Sequence, residues 1–298
     1  RAALEISAAS RTRDAMAARG LSPRKRFGQN FLVRPELAER IVEHCHLNSE
    51  DVVVEIGPGA GALTGLLATR CAQLIAVEKD DGLSELLREE YDGIEQVTIV
   101  NADFLEFDLT ALAAERGVSK LVVVGNIPYN ITTPILEHLF EQRRVVRSAV
   151  MLVQKEYAER LAAAAGTPEY GSLTLFARYH ALLEPLMTIR PSAFWPRPDV
   201  DSMLVRFFMR EEPPVQVPDE ALMFRIIRGA FQQRRKTLLN TLQETLELGK
   251  EPLERLSRHA GVDPRRRGET LTLEEFAKLA RLAGDHIAAI DGKRRGEH

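Results

Sequence analysis

Residues 125–130 form a short segment whose polar groups could activate an aromatic amine. An exocyclic amine such as that of adenine is a weak nucleophile, because its lone pair is delocalised into the ring. The side-chain oxygen of Asn126 and the backbone carbonyl of Pro128 could each accept one N–H and direct the lone pair at an electrophile, while Tyr129 could stack on the ring. Considered alone, such a segment is more often an ordinary turn after a strand.

A second set of residues indicates a nucleoside-like ligand. Gly57 and Gly59 follow the apolar run 52–56, and glycines there let backbone N–H groups approach a ligand at the positive end of the next helix. Glu78 stands 21 residues after Gly57, the spacing at which an acid accepts hydrogen bonds from ribose hydroxyls. Asp103 follows the next strand and could accept an adenine amino group. The glycine loop by itself also fits dinucleotide-binding proteins, so it does not identify the ligand.

These side chains need a sheet to position them, and the sequence predicts one. From about residue 50, short β-branched runs alternate with helical patterns, as in strand and helix units that build a parallel sheet. A Pro-rich loop, not a helix, separates the last two predicted strands, which indicates an antiparallel hairpin. The fold class is therefore α/β. The predicted strands are residues 52–56, 74–78, 97–101, 121–125, 149–153, 186–189 and 203–208.

The sequence changes character near residue 211. Residues 211–214 and Pro218 form a turn-rich linker that neither a strand nor a helix interior tolerates. Residues 219–285 then show helical patterns only, and Thr272 and Glu275 have the spacing of a capping box before the last helix. We therefore expect a poorly ordered or weakly helical extension over residues 1–20, an α/β domain over residues 21–210, and a small all-helical domain with a flexible tail over residues 211–298.

Composition restricts the class of protein. The chain has 298 residues, of which 45% are hydrophobic and 28% charged, and it has no apolar run of bilayer length, so we expect a globular protein of the cytoplasm that does not bind membranes. Cys45 and Cys71 stand far apart, without further Cys or His ligands at zinc-like spacing. The sequence therefore predicts two reduced thiols, no disulfide framework and no metal site.

The basic residues are clustered, although the formal net charge is -3. A negative net charge argues against a protein that coats nucleic acid through global positive charge, so any nucleic-acid contact must be local. A single cluster is more often a solvated face, but several clusters in an acidic chain favour phosphate contact. The clusters are Arg24, Lys25 and Arg26; Arg143, Arg144 and Arg147; Arg225, Arg228, Arg234, Arg235 and Lys236; and Arg265, Arg266 and Arg267.

Six motifs, in the same order along the chain, resemble those of the ribosomal RNA adenine N6-dimethyltransferase family, especially its bacterial small-subunit branch. The resemblance covers roughly residues 21–285. One small departure is Ile127, where the family usually has Leu; the two side chains have similar volumes. The motifs are Phe27-Gly28-Gln29-Asn30-Phe31-Leu32, Glu55 through Gly61, Asn126-Ile127-Pro128-Tyr129, Phe194 through Ser202, Phe231 through Thr237, and Arg267 through Leu271.

The resemblance implies a Rossmann-like class I methyltransferase sheet, with S-adenosylmethionine as cofactor and adenosines of small-subunit ribosomal RNA, within a small-subunit particle, as substrate. We expect a monomer. Asn126 would act between cofactor and substrate, and Phe194 would hold the flipped target base against Tyr129. The basic run 225–236 contains no acidic residue, so we expect Arg234, Arg235 and Lys236 to bind RNA, although these side chains could instead pair with Glu211, Glu212 or Glu244. The implied cofactor-binding residues are Asn30, Leu32, Gly57, Gly59, Glu78, Asp103 and Asn126.

Three other functions remain to be weighed. A nicotinamide dehydrogenase shares the glycine loop and the acid, but it does not account for residues 126–129 or for the basic clusters. A related methyltransferase of large-subunit RNA is closer, although the motifs at residues 231–237 and 267–271 favour the small-subunit branch. A non-enzymatic nucleic-acid-binding factor on the same fold is disfavoured, because Asn126, Tyr129 and Phe194 are all present.

Overall fold

The computed structural model describes residues 16–17, 19–24, 28–233 and 235–296. The chain divides into two compact units. The first unit runs to residue 158 and resumes at residues 181–211. The second unit comprises residues 159–180 and the chain from residue 212 onwards.

Most strands of the first unit belong to one sheet. Numbered along the described part of the chain, the strands are β1 (Phe31–Leu32), β2 (Val52–Ile56), β3 (Gln73–Glu78), β4 (Val97–Asn101), β5 (Leu121–Asn126), β6 (Val146–Gln154), β7 (Ala181–Ile189), β8 (Phe194–Trp195) and β9 (Ser202–Met209). Seven of these form a sheet with the order β4-β3-β2-β5-β6-β9-β7. The pairs from β4 to β6 are parallel, and β9 is antiparallel to both β6 and β7. The predicted mostly parallel sheet with a terminal antiparallel hairpin is confirmed.

Helices connect the parallel strands and account for the apolar runs in the sequence. All five residues of β2 are buried, as expected for a strand of a parallel sheet covered on both faces. One core cluster joins Ile41 and Leu67 to Val53, Val122 and Val150 in three adjacent strands. The helices of this unit are α1 (Pro35–Glu43), α2 (Thr64–Ala68), α3 (Asp81–Glu90), α4 (Leu109–Arg116), α5 (Thr132–Glu141) and the start of α6 (Lys155–Ala162).

Strands β1 and β8 form a separate two-stranded antiparallel sheet that the sequence did not predict. Phe31 lies opposite Trp195, and Leu32 lies opposite Phe194. Strands of two residues carry no periodic signal, and their pairing partners are far apart in the chain. The pairing brings two of the family-like motifs side by side.

Most of the extension expected over residues 1–20 lies outside the described residues, as do residues 25–27. Met16 is described, and its side chain is only 1% exposed. It packs in a cluster with Phe31 and Leu83. At least one side chain of the extension is therefore part of the first unit's core, next to β1.

The second unit is helical. Its core includes Met223, Ile226, Leu242 and Phe276, all nearly inaccessible to solvent. The predicted capping box is present: the N–H of Thr272 donates to Glu275 Oε2 at 2.9 Å, and the N–H of Glu275 donates to Thr272 Oγ1 at 3.3 Å. Its helices are the end of α6, then α7 (Ser172–His180), α8 (Glu220–Gln232), α9 (Leu238–Leu246), α10 (Lys250–His259) and α11 (Leu273–Gly296).

The division between the units differs from the expected domains in one respect. The chain passes into the second unit after residue 211, but residues 159–180, which we expected in the α/β domain, also belong to the second unit. The Tyr170 hydroxyl donates to the Leu271 carbonyl at 2.8 Å, and the N–H of Gly166 donates to the Glu269 carbonyl at 2.8 Å. These bonds join residues about a hundred positions apart, so local patterns do not reveal them.

None of the helices in the described part of the chain combines the length and apolar character needed to cross a bilayer.

Candidate functional site

A cavity of about 280 Å³ lies at the carboxyl ends of β2, β3, β4 and β5. Ligands of open α/β sheets bind at this edge, because the loops that follow the strands converge there. The cavity wall includes most of the side chains and glycines that the sequence singled out. These are Asn30, Leu32, Gly57, Gly59, Glu78, Asp103, Asn126, Pro128 and Tyr129.

The two glycines of the turn after β2 differ in what surrounds them. Both have a positive φ, +58° at Gly57 and +62° at Gly59, which strains any other residue. A Cβ at Gly57 would meet no atom within 4 Å, so this glycine leaves open space in the cavity wall. A Cβ at Gly59 would lie 2.9 Å from the ring of Phe31. Gly57 therefore leaves room for a ligand, and Gly59 leaves room for the aromatic ring that covers the turn.

Glu78 is at the end of β3 and is only 6% exposed. Its Oε2 accepts the N–H of Gly59 at 3.0 Å, and its Oε1 accepts the N–H of Asp80 at 2.8 Å. Burial raises the pKa of Glu78 to about 7, although these hydrogen bonds act to lower it. Each carboxylate oxygen has two lone pairs, so Glu78 can hold the glycine turn and still accept hydrogen bonds from a ligand.

Asp103 is paired with Lys79, a residue that the sequence reasoning missed. The Lys79 ammonium donates to Asp103 Oδ2, and Asp103 Oδ1 accepts the N–H of Leu105 at 3.1 Å. Burial acts to raise the pKa of Asp103, but these bonds outweigh it and the pKa is lowered. Asp103 is therefore an ionised acceptor. The position of Lys79, directly after Glu78, was the signal available in the sequence.

The side-chain amide of Asn126 is held in one orientation. Its Nδ2 donates to the backbone carbonyl of Asn30 at 2.7 Å. The Asn30 side chain in turn donates to the Gly28 carbonyl at 3.1 Å. This hydrogen bond sets the orientation of the amide, and Asn126 Oδ1, the acceptor of the group, can accept a hydrogen bond from a ligand.

The Pro128 carbonyl, the second predicted acceptor, already has partners. It accepts the N–H of Ile131 at 3.1 Å and lies 3.3 Å from Thr132 Oγ1. Thr132 Oγ1 is also 3.3 Å from the Tyr129 carbonyl. An incoming N–H can therefore take the place of the Thr132 hydroxyl, which has a second acceptor at the same distance.

Tyr129 lines the cavity and is half-buried. Its hydroxyl lies 2.6 Å from Ser202 Oγ at the start of β9. Burial raises the pKa of Tyr129, so its hydroxyl remains protonated and can donate to Ser202. Ser202 belongs to the motif at residues 194–202, but no local pattern indicates its contact with Tyr129.

Phe194 does not line the cavity. Its side chain is 3% exposed and packs in the core cluster that contains Leu32 and Leu204. It is also paired with Leu32 through the β1–β8 ladder. The predicted sandwich of a base between Phe194 and Tyr129 would require Phe194 to leave this cluster, and it stays a prediction.

A buried acid below the glycine turn was also missed as a functional candidate. Glu55 is 2% exposed, lines the cavity, and accepts the hydroxyl of Thr64 at 2.8 Å. Burial raises the pKa of Glu55 to about 8, and nearby Glu78 also raises it. Glu55 is therefore mostly neutral at pH 7.

The residues expected to bind RNA are in the second unit, and Arg234 lies outside the described residues. Arg235 is exposed, whereas Lys236 pairs with Glu244 at 3.3 Å. Elsewhere, Arg266 makes a bidentate pair with Glu275 at 2.6 and 3.1 Å, so it is committed within the unit. The basic clusters thus differ in how many of their side chains are already paired with carboxylates of the protein.

Known proteins are similar to this chain over nearly its whole length. The profile of the ribosomal RNA adenine dimethylase family matches residues 20–284. Ribosomal RNA small subunit methyltransferase A of Geobacillus sp. (strain WCH70) is 42% identical over 93% of this chain and 97% of its own length. The protein of the same name from Bacillus mycoides (strain KBAB4) is 43% identical over 93% of this chain and 96% of its own length.

Two solved structures are similar over most of the chain. The 23S rRNA methyltransferase ErmE has a TM-score of 0.65 and 28% identity, and the match covers 86% of this chain and 100% of that one. A dimethyladenosine transferase from Plasmodium falciparum has a TM-score of 0.69 and 23% identity, with 84% and 95% covered. The second likeness supports the fold alone.

Proposed function

The chain belongs to the ribosomal RNA adenine dimethylase family, and from that premise we propose that it transfers methyl groups from S-adenosylmethionine to the N6 amine of adenosines in small-subunit ribosomal RNA. The reaction is a dimethylation, and two adjacent adenosines are modified within a small-subunit particle. The enzyme thereby acts in the biogenesis of the small ribosomal subunit.

The observation that carries this proposal is the oriented amide of Asn126. Its nitrogen is bonded to the Asn30 carbonyl, so its oxygen can accept an amine N–H. The same cavity wall contains the glycine turn, Glu78 and Asp103, which suit an adenosine. One cavity thus contains acceptors for a nucleoside and acceptors for an aromatic amine.

The residues present fit S-adenosylmethionine, which supplies a methyl group on a positively charged sulfur. Gly57 leaves open space where a side chain would block the ligand. Glu78 would accept hydrogen bonds from the ribose hydroxyls, and Asp103 from the adenine amino group. Asn30 and Leu32 would cover the cofactor. The backbone carbonyl of Asn30 also accepts the hydrogen bond that orients Asn126.

The target amine would be oriented by two acceptors and a stacking ring. Asn126 Oδ1 and the Pro128 carbonyl each accept one N–H, which moves the nitrogen towards tetrahedral geometry and directs its lone pair at the methyl carbon. Tyr129 stacks on the base. Attack would be direct and in line: the new nitrogen–carbon bond would form as the methyl–sulfur bond breaks, the neutral thioether would leave, and the amine would lose its proton to solvent after transfer. In the second transfer only one N–H remains, so one acceptor is sufficient.

RNA binding would involve the basic residues around the end of α8. Arg234, Arg235 and Lys236 would contact phosphates, and of the described pair Arg235 is the less committed within the protein. Arg225 and Arg228 are exposed on α8 itself, about one turn apart, so they share a face of that helix.

The enzyme would act as a monomer in the cytoplasm, where its ribosomal substrate is assembled. Sedimentation of the purified protein at two concentrations tests the monomer. A mass that rises with concentration would contradict it.

A second candidate is methylation of large-subunit RNA, favoured by the likeness to ErmE. The identity to that protein is 28%, against 42–43% to the two small-subunit relatives over nearly the whole chain. We therefore favour the small subunit. A non-enzymatic role is disfavoured, because the acceptor Asn126 is present and oriented.

The decisive experiment incubates undermethylated small subunits with the protein and S-adenosylmethionine, followed by mass spectrometry of the RNA. We expect N6,N6-dimethyladenosine in small-subunit RNA and none in large subunits treated in parallel. Calorimetry with S-adenosylmethionine and with NAD separates a methyltransferase from a dehydrogenase. Modification of large subunits only, or binding of NAD only, would refute the proposal.

A further inference from the structure

The hydroxyl groups of Tyr129 and Ser202 are 2.6 Å apart, although the residues are 73 positions apart in the chain. Tyr129 belongs to the turn after β5, and its half-buried ring lines the cavity. Ser202 is fully buried. This hydrogen bond therefore links a side chain at the site to a residue of the protein interior.

Ser202 is held rigidly by its neighbours. It is the first residue of β9 and is paired with Gln154 of β6 on one side and Ile189 of β7 on the other. The preceding carbonyl, that of Asp201, accepts the N–H of Lys155 at 2.9 Å. A strand paired on both sides moves little, so the Ser202 hydroxyl is a fixed point relative to the sheet.

From this geometry we infer that Ser202 is a positioning residue for methyl transfer, which fixes the position of the Tyr129 ring on which the target base stacks. This inference rests on the proposed function. The position of a tyrosine ring is set mainly by its χ1 torsion, and a hydrogen bond that anchors the phenolic oxygen restricts that torsion. A base that stacks on an aromatic ring can still rotate within its own plane. Its amine meets both acceptors in only a narrow range of those rotations.

The proposed role does not depend on stability. One neutral hydrogen bond is a small part of the stability of a domain, so the fold is retained when either hydroxyl is removed. What is lost is the anchor that holds the ring in one position. The amine of the stacked base would then be presented to Asn126 Oδ1 and the Pro128 carbonyl in a wider range of geometries.

The test is a double-mutant cycle of Ser202→Ala and Tyr129→Phe. Each change removes the same hydrogen bond and keeps the aromatic ring. We expect each to lower kcat on small subunits about three- to tenfold, as for loss of one neutral hydrogen bond. The double variant should be no slower than either single variant. KM for the particle and the affinity for S-adenosylmethionine should stay within about twofold of the parent values.

Ser84→Ala is the matched control. Ser84 is also a fully buried serine, and its hydroxyl has no hydrogen-bond partner among the described residues. Its replacement should leave kcat unchanged. Additive losses of kcat in the cycle, or an equal loss of cofactor affinity in Ser202→Ala, would overturn the inference and make Ser202 a structural residue.

A second measurement is independent of turnover. An RNA hairpin with 2-aminopurine in its loop loses fluorescence when that base stacks, and the parent protein should quench it more strongly than Ser202→Ala does. Stronger quenching by the parent than by Ser202→Ala, without any methyl transfer by the parent, would contradict the proposed function but support the positioning of the ring by Ser202. Equal quenching by parent and variant, together with equal kcat, would reject the positioning role alone.

Discussion

The Asn126 amide nitrogen lies 2.7 Å from the Asn30 carbonyl oxygen, a bond between residues 96 positions apart. It joins the turn after β5 to the segment that leads into β1. One end of the amide is therefore committed to the protein, and the other end is available to a substrate. This hydrogen bond therefore positions the Asn126 side chain relative to the Asn30 backbone, and both residues line the cavity.

The first prediction concerns this amide. Replacing Asn126 with Ala should lower kcat by about a hundredfold, the size of effect seen when one oriented polar group of a reaction centre is removed. RNA affinity should change by less than about threefold, because the amide acts mainly when the amine is aligned for attack.

Single-turnover methylation and filter binding of RNA measure the two quantities. Asn126→Asp is an informative companion, because its carboxylate cannot donate to the Asn30 carbonyl and should also be slow. A turnover of Asn126→Ala within about threefold of the parent would show that residues 126–129 are only a turn, since threefold is roughly 0.65 kcal/mol in the barrier.

The second prediction concerns Glu78. Its replacement with Ala should weaken S-adenosylmethionine binding at least tenfold at pH 8, because each hydrogen bond to a charged group contributes roughly 1.5 to 3 kcal/mol. With a pKa of about 7, the Glu78 carboxyl becomes protonated as the pH falls below 7 and loses acceptor capacity. Affinity of the parent should therefore fall between pH 8 and pH 6.

Calorimetry across this pH range, with circular dichroism to check folding, tests the role of Glu78. Glu78→Gln is the matched variant, because its amide keeps one acceptor oxygen and does not titrate. Its affinity should depend less on pH than that of the parent. Equal pH dependence in both proteins would remove Glu78 from the cofactor site.

Much of this site was predictable from the sequence because its residues lie directly at the ends of strands. Gly57, Glu78, Asp103 and Asn126 each follow an apolar run, and parallel strands bring their carboxyl ends to one edge. Strand bounds were predicted to within one or two residues for β2 to β5, where β-branched runs end at polar residues. β6 and β7 extend several residues further, because sheet pairing continues through sequence without strong strand preference.

Other features depend on contacts between distant residues and could not be predicted. The pairing of Leu32 with Phe194 involves strands of two residues, and it places Phe194 in the core instead of the cavity. The bond from Tyr129 to Ser202 depends on the register of β9. Packing explains Gly268 in the motif at residues 267–271, since a Cβ there would lie 2.6 Å from the Ala230 carbonyl oxygen.

The third prediction links Glu55 to stability. Its pKa is raised to about 8 by burial, whereas in the unfolded chain it would be near 4.3. Between these values the folded protein binds the extra proton, so the contribution of Glu55 to stability is present at low pH and is lost as the pH rises through 8. Glu55→Gln, which stays neutral, should raise the Tm at pH 8.5 more than at pH 5.5.

Thermal unfolding by circular dichroism at the two pH values measures this difference. Glu50→Gln is the control, because Glu50 is exposed on the loop before β2. Its replacement should shift the Tm similarly at both values. A gain for Glu55→Gln that is the same at both pH values would mean that Glu55 does not change its ionisation in this range.

The last prediction separates Arg235 from Lys236. Arg235 is exposed, whereas Lys236 already pairs with Glu244 at 3.3 Å, so a phosphate would have to compete for the Lys236 ammonium. Both follow α8 in a region rich in basic residues. Arg235→Gln should therefore weaken RNA binding more than Lys236→Gln. It should also reduce the slope of log affinity against log salt by up to about one, because one phosphate contact releases about one counterion.

Affinity for small-subunit RNA across a salt series, with S-adenosylmethionine affinity in parallel, tests this difference. Arg281→Gln is the control, because Arg281 is an exposed arginine of α11, a different helix of the same unit, and its replacement should leave the salt slope unchanged. Combining Arg235→Gln and Lys236→Gln with Arg234→Gln should flatten the slope further without affecting the cofactor. If Arg235→Gln leaves the slope of the parent unaltered, or weakens cofactor binding as much as RNA binding, the cluster is structural. In that case the basic side chains of the cluster serve in ion pairs within the protein, such as that of Lys236 with Glu244.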